Sequence, residues 1–200
     1  MVNTIYAKIL SASEKFDLKE IYKLRYEVFV EEKNWIDKAV CTTRMEVDTY
    51  DQNCTYITLN TLDENGEEKL IGISRVIPLT NTIMLDKDFK ELVENVKLKR
   101  ETSLEITRLT IARDYRHLHL DVELYKNLFK WSGEKQIDDW YFVVEPKYLK
   151  YLNRLGIEAR QIGANKVFPD GVEAIAVHLN LPEVMIKLKK RNEELYLRLQ

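Results

Sequence analysis

The sequence predicts a mixed α/β fold, in which a central twisted, mixed β-sheet has helices on both faces. Residues 55–62 and 69–78 are two β-rich runs joined by a turn with an Asn-Gly pair, which is typical of an antiparallel hairpin. After residue 112 strands and helices alternate, which favours a parallel step in the sheet. The 200 residues, 45% of them hydrophobic, are enough for a single domain with a sizeable core.

The region before the hairpin contains one strand, one helix and a long loop. Residues 4–10 alternate enough to form the strand. Ser13 offers an N-cap, and apolar residues at near-helical spacing predict an amphipathic helix over residues 14–32. Residues 35–53 show no clear period. We predict a functional loop there, because structureless connections of this length are uncommon without a role.

The region after the hairpin contains the remaining helices and strands. A proline at the start and Gly156 at the end mark one of these helices, at residues 146–155. The last helix begins at Pro182 and runs to about residue 200, with Val184, Leu188, Leu195 and Leu199 on one apolar stripe. The other predicted elements are helices at 86–97 and 118–136 and strands at 103–112, 140–144, 159–162 and 172–179.

Composition excludes several functional classes. The net charge of −2 gives no global basic field, so we expect no nucleic-acid partner. The two cysteines, Cys41 and Cys54, offer no disulfide framework and are expected to be reduced thiols. No signal peptide is evident, and no apolar run approaches the ~20 residues that span a bilayer. We therefore expect a cytoplasmic protein without a membrane span.

The first of four clusters with possible chemistry is Arg25, Phe29 and Trp35. Arg25 and Phe29 are four residues apart, so they share one face of the predicted helix. Taken alone, the cluster fits two core aromatics beside a solvated arginine better than it fits a binding pocket.

The second cluster is an acidic set in the long loop, Glu46, Asp48 and Asp51. Such carboxylates could bind a metal, hold a substrate ammonium, pair with arginines or form turns at the surface. The set lacks the glycine and the terminal glutamate of a calcium-binding loop, so we expect no calcium and no metal site.

The third and fourth clusters are charges inside apolar strands. Arg75 interrupts the second hairpin strand, where a charge is costly unless it is paired. Glu105 and Arg108 interrupt the strand at 103–112, and residues three apart in a regular strand point to opposite faces. If both reach one site, a β-bulge is required near Ile106 and Thr107. The alternative is a structural ion-pair network of Arg25, Arg75 and Arg108 with Glu46, Asp48, Asp51 and Glu105.

In this order the four clusters resemble the autoinducer (acyl-homoserine lactone) synthases and their relatives, the long-chain N-acyl amino acid synthases such as the N-acyltyrosine synthases. The motifs are Arg25-x3-Phe29-x5-Trp35, Glu46-x-Asp48-x-x-Asp51, Gly72-x-x-Arg75-x-x-Pro78 and Glu105-x-x-Arg108. The resemblance covers roughly residues 20–112. It implies a GNAT-type acyltransferase fold with a V-shaped cleft between splayed strands. It also implies a fatty acyl donor carried on the phosphopantetheine arm of an acyl carrier protein, with no bound cofactor.

The resemblance also implies roles for individual residues. Glu105 is the candidate base or water-holder, and Arg108 and Arg75 order the site. The acceptor pocket is expected from Arg25, Phe29, Trp35, Glu46, Asp48 and Asp51. The carrier and its phosphopantetheine arm are expected at Thr107, Leu109, Arg113, Arg116, Lys126 and Lys130.

Residue chemistry is consistent with amine attack on a thioester. The attacking amine must lose its proton, and a buried carboxylate can take that proton directly or through a water. A backbone N–H left unpaired at the bulge can stabilise the oxyanion. No Cys/His or Ser/His arrangement for a covalent intermediate is recognisable, although the sequence leaves a catalytic cysteine open.

The stretch after the central strand bears on the acyl donor. Residues 113–120 contain no glycine, whereas a coenzyme A diphosphate is usually held by a glycine-rich loop at a helix N-terminus. This favours a carrier protein as donor. Carrier proteins are acidic, so Lys97, Lys99, Arg100, Lys126 and Lys130 are candidate docking cations, with a solvated charged face as the alternative for each.

The acceptor is the open part of the function. Lys33-Asn34, Val47 and Thr107 depart from the pattern of the autoinducer synthases, and the basic C-terminal helix is not typical of them. The leading hypothesis is therefore an N-acyl amino acid synthase that acylates tyrosine or another hydrophobic amino acid. The alternatives are an acyl-homoserine lactone synthase that uses S-adenosylmethionine and a non-catalytic module that binds a carrier protein or a lipid.

Overall fold

The computed structural model describes residues 4–11, 18–168 and 171–200. The predicted N-cap at Ser13 and residues 14–17 of the predicted helix lie outside the described residues. The chain divides into two compact units, which are described separately below. The first comprises Met1–Val76 and Arg108–Asn127, and the second comprises Ile77–Thr107 and Leu128–Gln200. The expectation of a single domain stays a prediction.

Antiparallel strands form the sheet of the first unit. Strand β1 (Tyr6–Ser11) pairs antiparallel with β2 (Thr55–Leu62), and β2 pairs antiparallel with β3 (Glu68–Pro78). The predicted hairpin is confirmed. Its turn is held by the Asp63 carboxylate, which accepts hydrogen bonds from the N–H groups of Asn65 and Glu67.

The first helix of this unit changes type part-way along. Helix α1 (Lys19–Arg25) continues as a π-helix over Tyr26–Glu32, which confirms a helix over the described part of residues 14–32. In this segment Val28, Phe29 and Val30 are all buried. Leu24, Arg25 and Tyr26 are also buried, so this helix is enclosed on more than one face on both sides of the change in type.

The loop at residues 35–53 has more structure than the sequence predicts. It contains two 3₁₀ turns, at Lys38–Val40 and Thr49–Asn53. Asp48 caps the second turn by accepting a hydrogen bond from the Tyr50 N–H, and the Asp51 carboxylate accepts one from the Asp48 N–H. This reciprocal capping fixes the acidic residues relative to one another.

A mixed sheet runs through the second unit. The first part of β4 (Ser103–Ile111) pairs parallel with β5 (Asp139–Val144), which confirms the predicted parallel step. Strand β7 (Glu173–Asn180) pairs antiparallel with β5 and with β6 (Arg160–Val167). The strand order is β1-β2-β3-β4-β5-β7-β6, so the predicted mixed sheet is confirmed.

The helix predicted over residues 86–97 is wrong in extent. The structure has a single α-helical turn, α2 (Met84–Lys87), followed by a 3₁₀ turn at Lys90–Leu92. Ile83, Met84 and Leu85, which precede the predicted start, are all buried, and so are Leu92 and Val93 near the 3₁₀ turn. The segment buries these residues in two short turns and not on one stripe of a continuous helix.

The remaining helices lie close to their predicted places. Helix α3 spans Asp121–Glu134, and α4 spans Pro146–Leu155 with Gly156 at φ 92° as its left-handed C-terminal residue. The single helix predicted from Pro182 is wrong. It is two helices, α5 (Leu181–Arg191) and α6 (Glu193–Leu199), separated at Asn192.

The break at Asn192 has a local cause. Its backbone is not helical, with φ −150° and ψ 74°, and its side-chain oxygen accepts a hydrogen bond from the Leu195 N–H at 3.1 Å. An asparagine that caps the next helix in this way ends the previous one. The predicted apolar set Val184, Leu188, Leu195 and Leu199 is nevertheless buried, two residues on each helix. Among the described residues no helix is both long and apolar enough to cross a bilayer.

Candidate active site

The first unit brings six of the predicted site residues into one group, which we call the ion-pair cluster. Its cations come from α1, β3 and β4, and its anions come from the loop at residues 35–53. The members are Arg25, Arg75, Arg108, Glu46, Asp48 and Asp51. Three positive and three negative side chains cancel formally, which is the condition for burying so many charges together.

Arg25 is completely buried, and its guanidinium nitrogens form hydrogen bonds within the protein. Its Nε donates to Glu46 at 2.5 Å, and its Nη1 donates to Asp51 at 2.6 Å and to the Tyr56 hydroxyl at 2.7 Å. Burial opposes the charge of Arg25, but the hydrogen bond to Glu46 and the nearby anions outweigh it and raise the pKa. Arg25 therefore holds the anions in place and has no surface for a ligand.

Arg75 and Asp51 form the second buried centre of the cluster. The Arg75 Nη1 donates to Asp48 and to Asp51 at 2.5 Å each, and Arg75 is fully buried. One oxygen of Asp51 thus accepts from two arginines and from the Tyr56 hydroxyl. Burial would raise the pKa of Asp51, but the charges of Arg25 and Arg75 lower it overall.

Glu46 links the buried part of the cluster to Arg108. Burial favours the neutral acid, but the Arg25 hydrogen bond and the Arg108 charge outweigh it and lower the pKa of Glu46 to about 2. Arg108 donates to both Glu46 oxygens, at 3.0 and 3.1 Å. Glu46 is therefore ionised at neutral pH, and a two-point contact fixes the plane of the Arg108 guanidinium.

Asp48 and Arg108 are the members with side chains open to solvent, at 19% and 14% exposure. Their mutual contact is a 3.2 Å hydrogen bond from Arg108 Nη2 to Asp48 Oδ2. The same oxygen has a longer contact of 3.5 Å with Arg25. The exposed edge of the cluster therefore presents one carboxylate oxygen with loose contacts beside one guanidinium group.

An aromatic pair lies against the open side of the cluster. The Arg108 guanidinium stands 5.3 Å from the centre of the Phe29 ring, and Phe29 stacks on Trp35 with ring centres 6.0 Å apart. Phe29 is buried, whereas Trp35 is 41% exposed. The structure therefore brings the Arg25, Phe29 and Trp35 set together with the acidic set, as the motif order suggests.

Arg108 has a left-handed backbone conformation, with φ 52° inside strand β4. A non-glycine residue in this region is uncommon and is a feature of some β-bulges. The irregularity lies one residue beyond the predicted position at Ile106 and Thr107. It breaks the two-residue alternation, so the rule that places residues three apart on opposite faces does not hold here.

Glu105 belongs to the second unit and has its own partners there. Its side chain is 1% exposed, and its two oxygens accept hydrogen bonds from the backbone N–H groups of Met84 and Leu85, each at 2.8 Å. Neither contact has a signal in the sequence, because the partners are backbone groups about 20 residues away. Its role as base or water-holder stays a prediction.

The candidate carrier-binding residues have different surroundings. Thr107 and Leu109 are half-buried in β4, Arg113 and Lys130 are exposed, and Lys126 is half-buried on α3. Arg116 forms two hydrogen bonds with Glu32, at 2.6 and 2.8 Å. Two of the upstream cations are also paired within the second unit, Lys99 with Asp139 and Arg100 with Asp86.

Tyr56 is a member of this site that the sequence does not reveal. A tyrosine in a β-rich run is expected to be core, and Tyr56 is fully buried in β2. Its hydroxyl accepts from Arg25 and donates to Asp51. Burial raises the pKa of this phenol strongly, so it stays protonated and acts as a donor.

The cysteine beside the cluster is not an activated nucleophile. Cys54 is buried, and its thiol donates to the Asp51 backbone carbonyl at 3.4 Å. Burial raises the pKa of Cys54 to about 11, so the reactive thiolate is scarce at neutral pH. Within the described parts of the chain, no group of three or more His, Cys, Asp and Glu side chains is arranged to hold a metal ion.

Comparison with known proteins decides the family. The family model described as autoinducer synthase matches residues 10–187. The chain belongs to the autoinducer synthase family. It is therefore an enzyme, an acyltransferase of this family, and the relation suggested by the four motifs is confirmed.

Curated relatives cover most of the chain. An acyl-homoserine-lactone synthase of Vibrio anguillarum is 26% identical over 190 residues, which are 92% of this chain and 96% of that protein. Acyl-homoserine-lactone synthases of Rhizobium radiobacter and Pseudomonas aeruginosa are each 27% identical, over 81% and 84% of this chain and 77% and 86% of theirs.

Solved structures confirm the predicted GNAT-like fold. The coenzyme A-dependent acyl-homoserine lactone synthase BjaI, solved with S-adenosylmethionine and isopentyl-CoA, aligns with a TM-score of 0.76 at 19% identity over 94% of this chain and 89% of that one. FeeM, an N-acyl amino acid synthase from uncultured soil microbes, aligns with a TM-score of 0.63 at 20% identity over 93% and 96%. A putative N-acetyltransferase from Lactobacillus plantarum also aligns, with a TM-score of 0.60 at 18% identity over 90% and 99%.

Proposed function

We propose that this protein is an acyl-homoserine lactone synthase that acylates S-adenosylmethionine. The observation that carries the proposal is the near full-length match to the Vibrio anguillarum acyl-homoserine-lactone synthase, which two further synthases of the same name support. The N-acyl amino acid synthase FeeM supports the first hypothesis, tyrosine as acceptor, only at the level of the fold. The lactone synthase, first considered as the alternative, is therefore the better-supported function.

The reaction needs two bond exchanges. The amine nitrogen of S-adenosylmethionine attacks the thioester carbonyl carbon, the C–S bond of the donor breaks, and the carrier thiol and one proton are released. A carboxylate oxygen of the acylated S-adenosylmethionine then attacks the γ-carbon of the same aminobutyryl chain, which is bonded to the sulfonium sulfur. That C–S bond breaks, and the acyl-homoserine lactone and methylthioadenosine form. The sulfonium leaves as a neutral thioether, so no redox step or metal is needed.

The exposed edge of the ion-pair cluster fits the charges of this acceptor. S-adenosylmethionine carries an ammonium, a sulfonium and a carboxylate. The loosely held Oδ2 of Asp48 is suited to bind the ammonium and to take its proton, and Arg108 is suited to bind the carboxylate. The exposed ring of Trp35 offers a face for the sulfonium or the adenine.

The buried members of the cluster act as supports in this proposal. Arg25, Arg75, Glu46 and Asp51 are too buried to contact a substrate, yet they set the positions of Asp48 and Arg108. Fixed charges that need no reorganisation favour a transition state more than mobile ones. The six motif residues therefore divide into two that meet the acceptor and four that position those two.

An acyl carrier protein, through its phosphopantetheine arm, is the donor that we propose. The segment after β4 is a 3₁₀ turn over Arg113–Leu118, and it ends in His119 at φ 52°. The first turn of α3 carries Asp121 and Glu123, whose charges oppose a diphosphate at this helix start. Arg113 in the first unit and Lys130 in the second unit are each exposed, and each stays a separate candidate for carrier docking.

The proposal is tested by incubating the purified protein with a fatty-acylated carrier protein and either S-adenosylmethionine or each amino acid. Product masses are then measured, and a parallel reaction contains acyl-coenzyme A. An acyl-homoserine lactone that forms with the carrier-bound donor supports the proposal. An N-acyl amino acid in place of the lactone would return the acceptor to the first hypothesis.

Asp48→Asn and Asp63→Asn form a matched pair for the acceptor site. The first variant is expected to raise KM for S-adenosylmethionine and to lower kcat/KM about 100-fold, because the carboxylate that binds the ammonium is lost. Asp63 caps the β2–β3 turn through hydrogen bonds that an asparagine oxygen can also accept, so Asp63→Asn should behave as wild type.

A further inference from the structure

We propose that Glu105 is a positioning residue, which ties strand β4 to the segment that follows β3, and that it does not take the proton of the amine. That Glu105 does not take this proton rests on the proposed function. Both carboxylate oxygens are engaged, Oε2 with the Met84 N–H and Oε1 with the Leu85 N–H, each at 2.8 Å. The side chain is 1% exposed.

Three further contacts join the same two pieces of chain. The Leu79 N–H donates to the Ser103 carbonyl at 3.0 Å. Arg100 donates to the Leu79 carbonyl at 3.2 Å and forms a two-point contact with Asp86 at 2.7 and 2.8 Å. The Glu105 contacts are thus the buried member of a set that fixes the segment around α2 against the start of β4.

Glu105 lies where β4 separates from β5. The parallel pairs are Ser103 with Asp139, Leu104 with Trp140 and Glu105 with Tyr141. Both strands continue further, yet among the described residues Glu105 is the last one of β4 in this register. A tie at that point fixes the direction in which the β4 backbone leaves its neighbour.

This tie has a consequence for the reaction. The residues that follow Glu105 in β4 are the ones expected to offer a backbone N–H to the oxyanion, and such donors act through fixed placement. Loosening the strand at Glu105 should therefore lower kcat. The effect arises through the backbone and not through proton transfer.

The engaged carboxylate is poorly suited to act as a base. Charge-assisted hydrogen bonds from buried N–H groups stabilise the ionised form, and these bonds weaken when the carboxylate accepts a proton. Two N–H groups of one short segment also hold the carboxylate rigidly. Asp48 is also held, through Oδ1, by Arg75 and by the Tyr50 N–H, but its side chain is 19% exposed and its Oδ2 has only longer contacts, at 3.2 and 3.5 Å.

A substitution at Met84 tests the tie without altering Glu105. Met84→Pro removes one of the two donors. Met84 is the first residue of α2 and follows an extended Ile83 at φ −121° and ψ 159°, and proline is tolerated in that setting. Met84→Ala removes the same side chain but keeps the N–H, so it is the matched control. Glu105→Gln and the double variant Met84→Pro/Glu105→Gln complete the set.

Lactone formation against pH and thermal unfolding are then measured for each variant. We expect Met84→Pro to lower kcat about 10-fold relative to Met84→Ala, and Glu105→Gln to lower it about 10-fold relative to the wild type. The pH midpoint of the acidic limb of the rate profile should not change in either variant. We also expect each substitution to lower the unfolding temperature. The double variant should lower it by less than the sum of the two single decreases.

Two results would overturn this inference. One is a Glu105→Gln variant that loses the acid limb while Met84→Pro matches Met84→Ala in kcat, which would make Glu105 the base. The other is full additivity of the two substitutions in thermal unfolding. The unfolding measurement needs no substrate, so it tests the tie even if no lactone forms, which is the result that would overturn the proposed function.

Discussion

At the scale of single residues, the site depends on the mutual neutralisation of buried charges. Arg25 and Arg75 are fully buried, and both bind the same Asp51 oxygen. Placing an ion in a low-dielectric interior costs several kcal/mol unless a partner compensates it. The cluster is therefore sensitive to the loss of any one member, although the complete set is close to neutral.

Asp51→Asn tests this dependence. We expect a loss of about 3 kcal/mol in the free energy of unfolding, because two buried guanidinium groups lose a common anion. Urea unfolding at pH 7 measures the change. Asp114 is exposed in the same unit, so Asp114→Asn should change the free energy by less than about 0.5 kcal/mol. Equal effects of the two substitutions would contradict the account.

The residue scale also shows what the sequence could predict. An arginine in an apolar strand is costly without an anionic partner, and the loop contains three carboxylates. The ion-pair cluster was therefore predictable, as an alternative to a substrate site. Tyr56 was not, because its strand position is explained by core packing alone. The contacts of Glu105 with the backbone of Met84 and Leu85 were also out of reach, because backbone partners leave no pattern in the side chains.

At the scale of elements, local signals fixed some boundaries and failed at others. Proline at the start and glycine at the end gave the bounds of α4 because both act on their own backbone. The π-helix at Tyr26–Glu32 and the division at Asn192 depend on packing and on a single side-chain cap. Such features look like ordinary helix in a periodicity pattern, so the sequence predicted continuous helices.

Gly156→Ala tests the terminus of α4. Gly156 has φ 92°, and an added Cβ would lie 3.0 Å from the Leu188 side chain. We expect a loss of about 1–2 kcal/mol in the free energy of unfolding, from left-handed strain and crowding. Gly133 lies inside α3, and an added Cβ there meets nothing within 4 Å. Gly133→Ala should therefore stabilise the protein by about 0.5–1 kcal/mol, and a stabilising Gly156→Ala would contradict the assignment of the cap.

At the scale of the whole molecule, the cluster links stability to pH. The pKa of Glu46 falls from 4.5 to about 2 on folding, and that of Asp51 is also lowered. A lowered folded-state pKa contributes stability that is complete above the unfolded value. That contribution is lost as the pH falls from about 4.5 towards 2.

Glu46→Gln tests this linkage. The variant is expected to be less stable than the wild type at pH 7, and the difference should shrink as the pH falls from about 4.5 to 2. Chemical unfolding at several pH values measures both curves. A difference that stays constant over this range would show that Glu46 does not carry the linkage.

Mass analysis of the product tests most directly whether the enzyme uses S-adenosylmethionine as its acceptor. The protein is given acyl carrier protein charged with a fatty acyl group, S-adenosylmethionine labelled with ¹³C in its aminobutyryl carbons, and unlabelled tyrosine. The account predicts an acyl-homoserine lactone that contains the labelled carbons, with equimolar methylthioadenosine. Unlabelled N-acyltyrosine with no labelled lactone would contradict it.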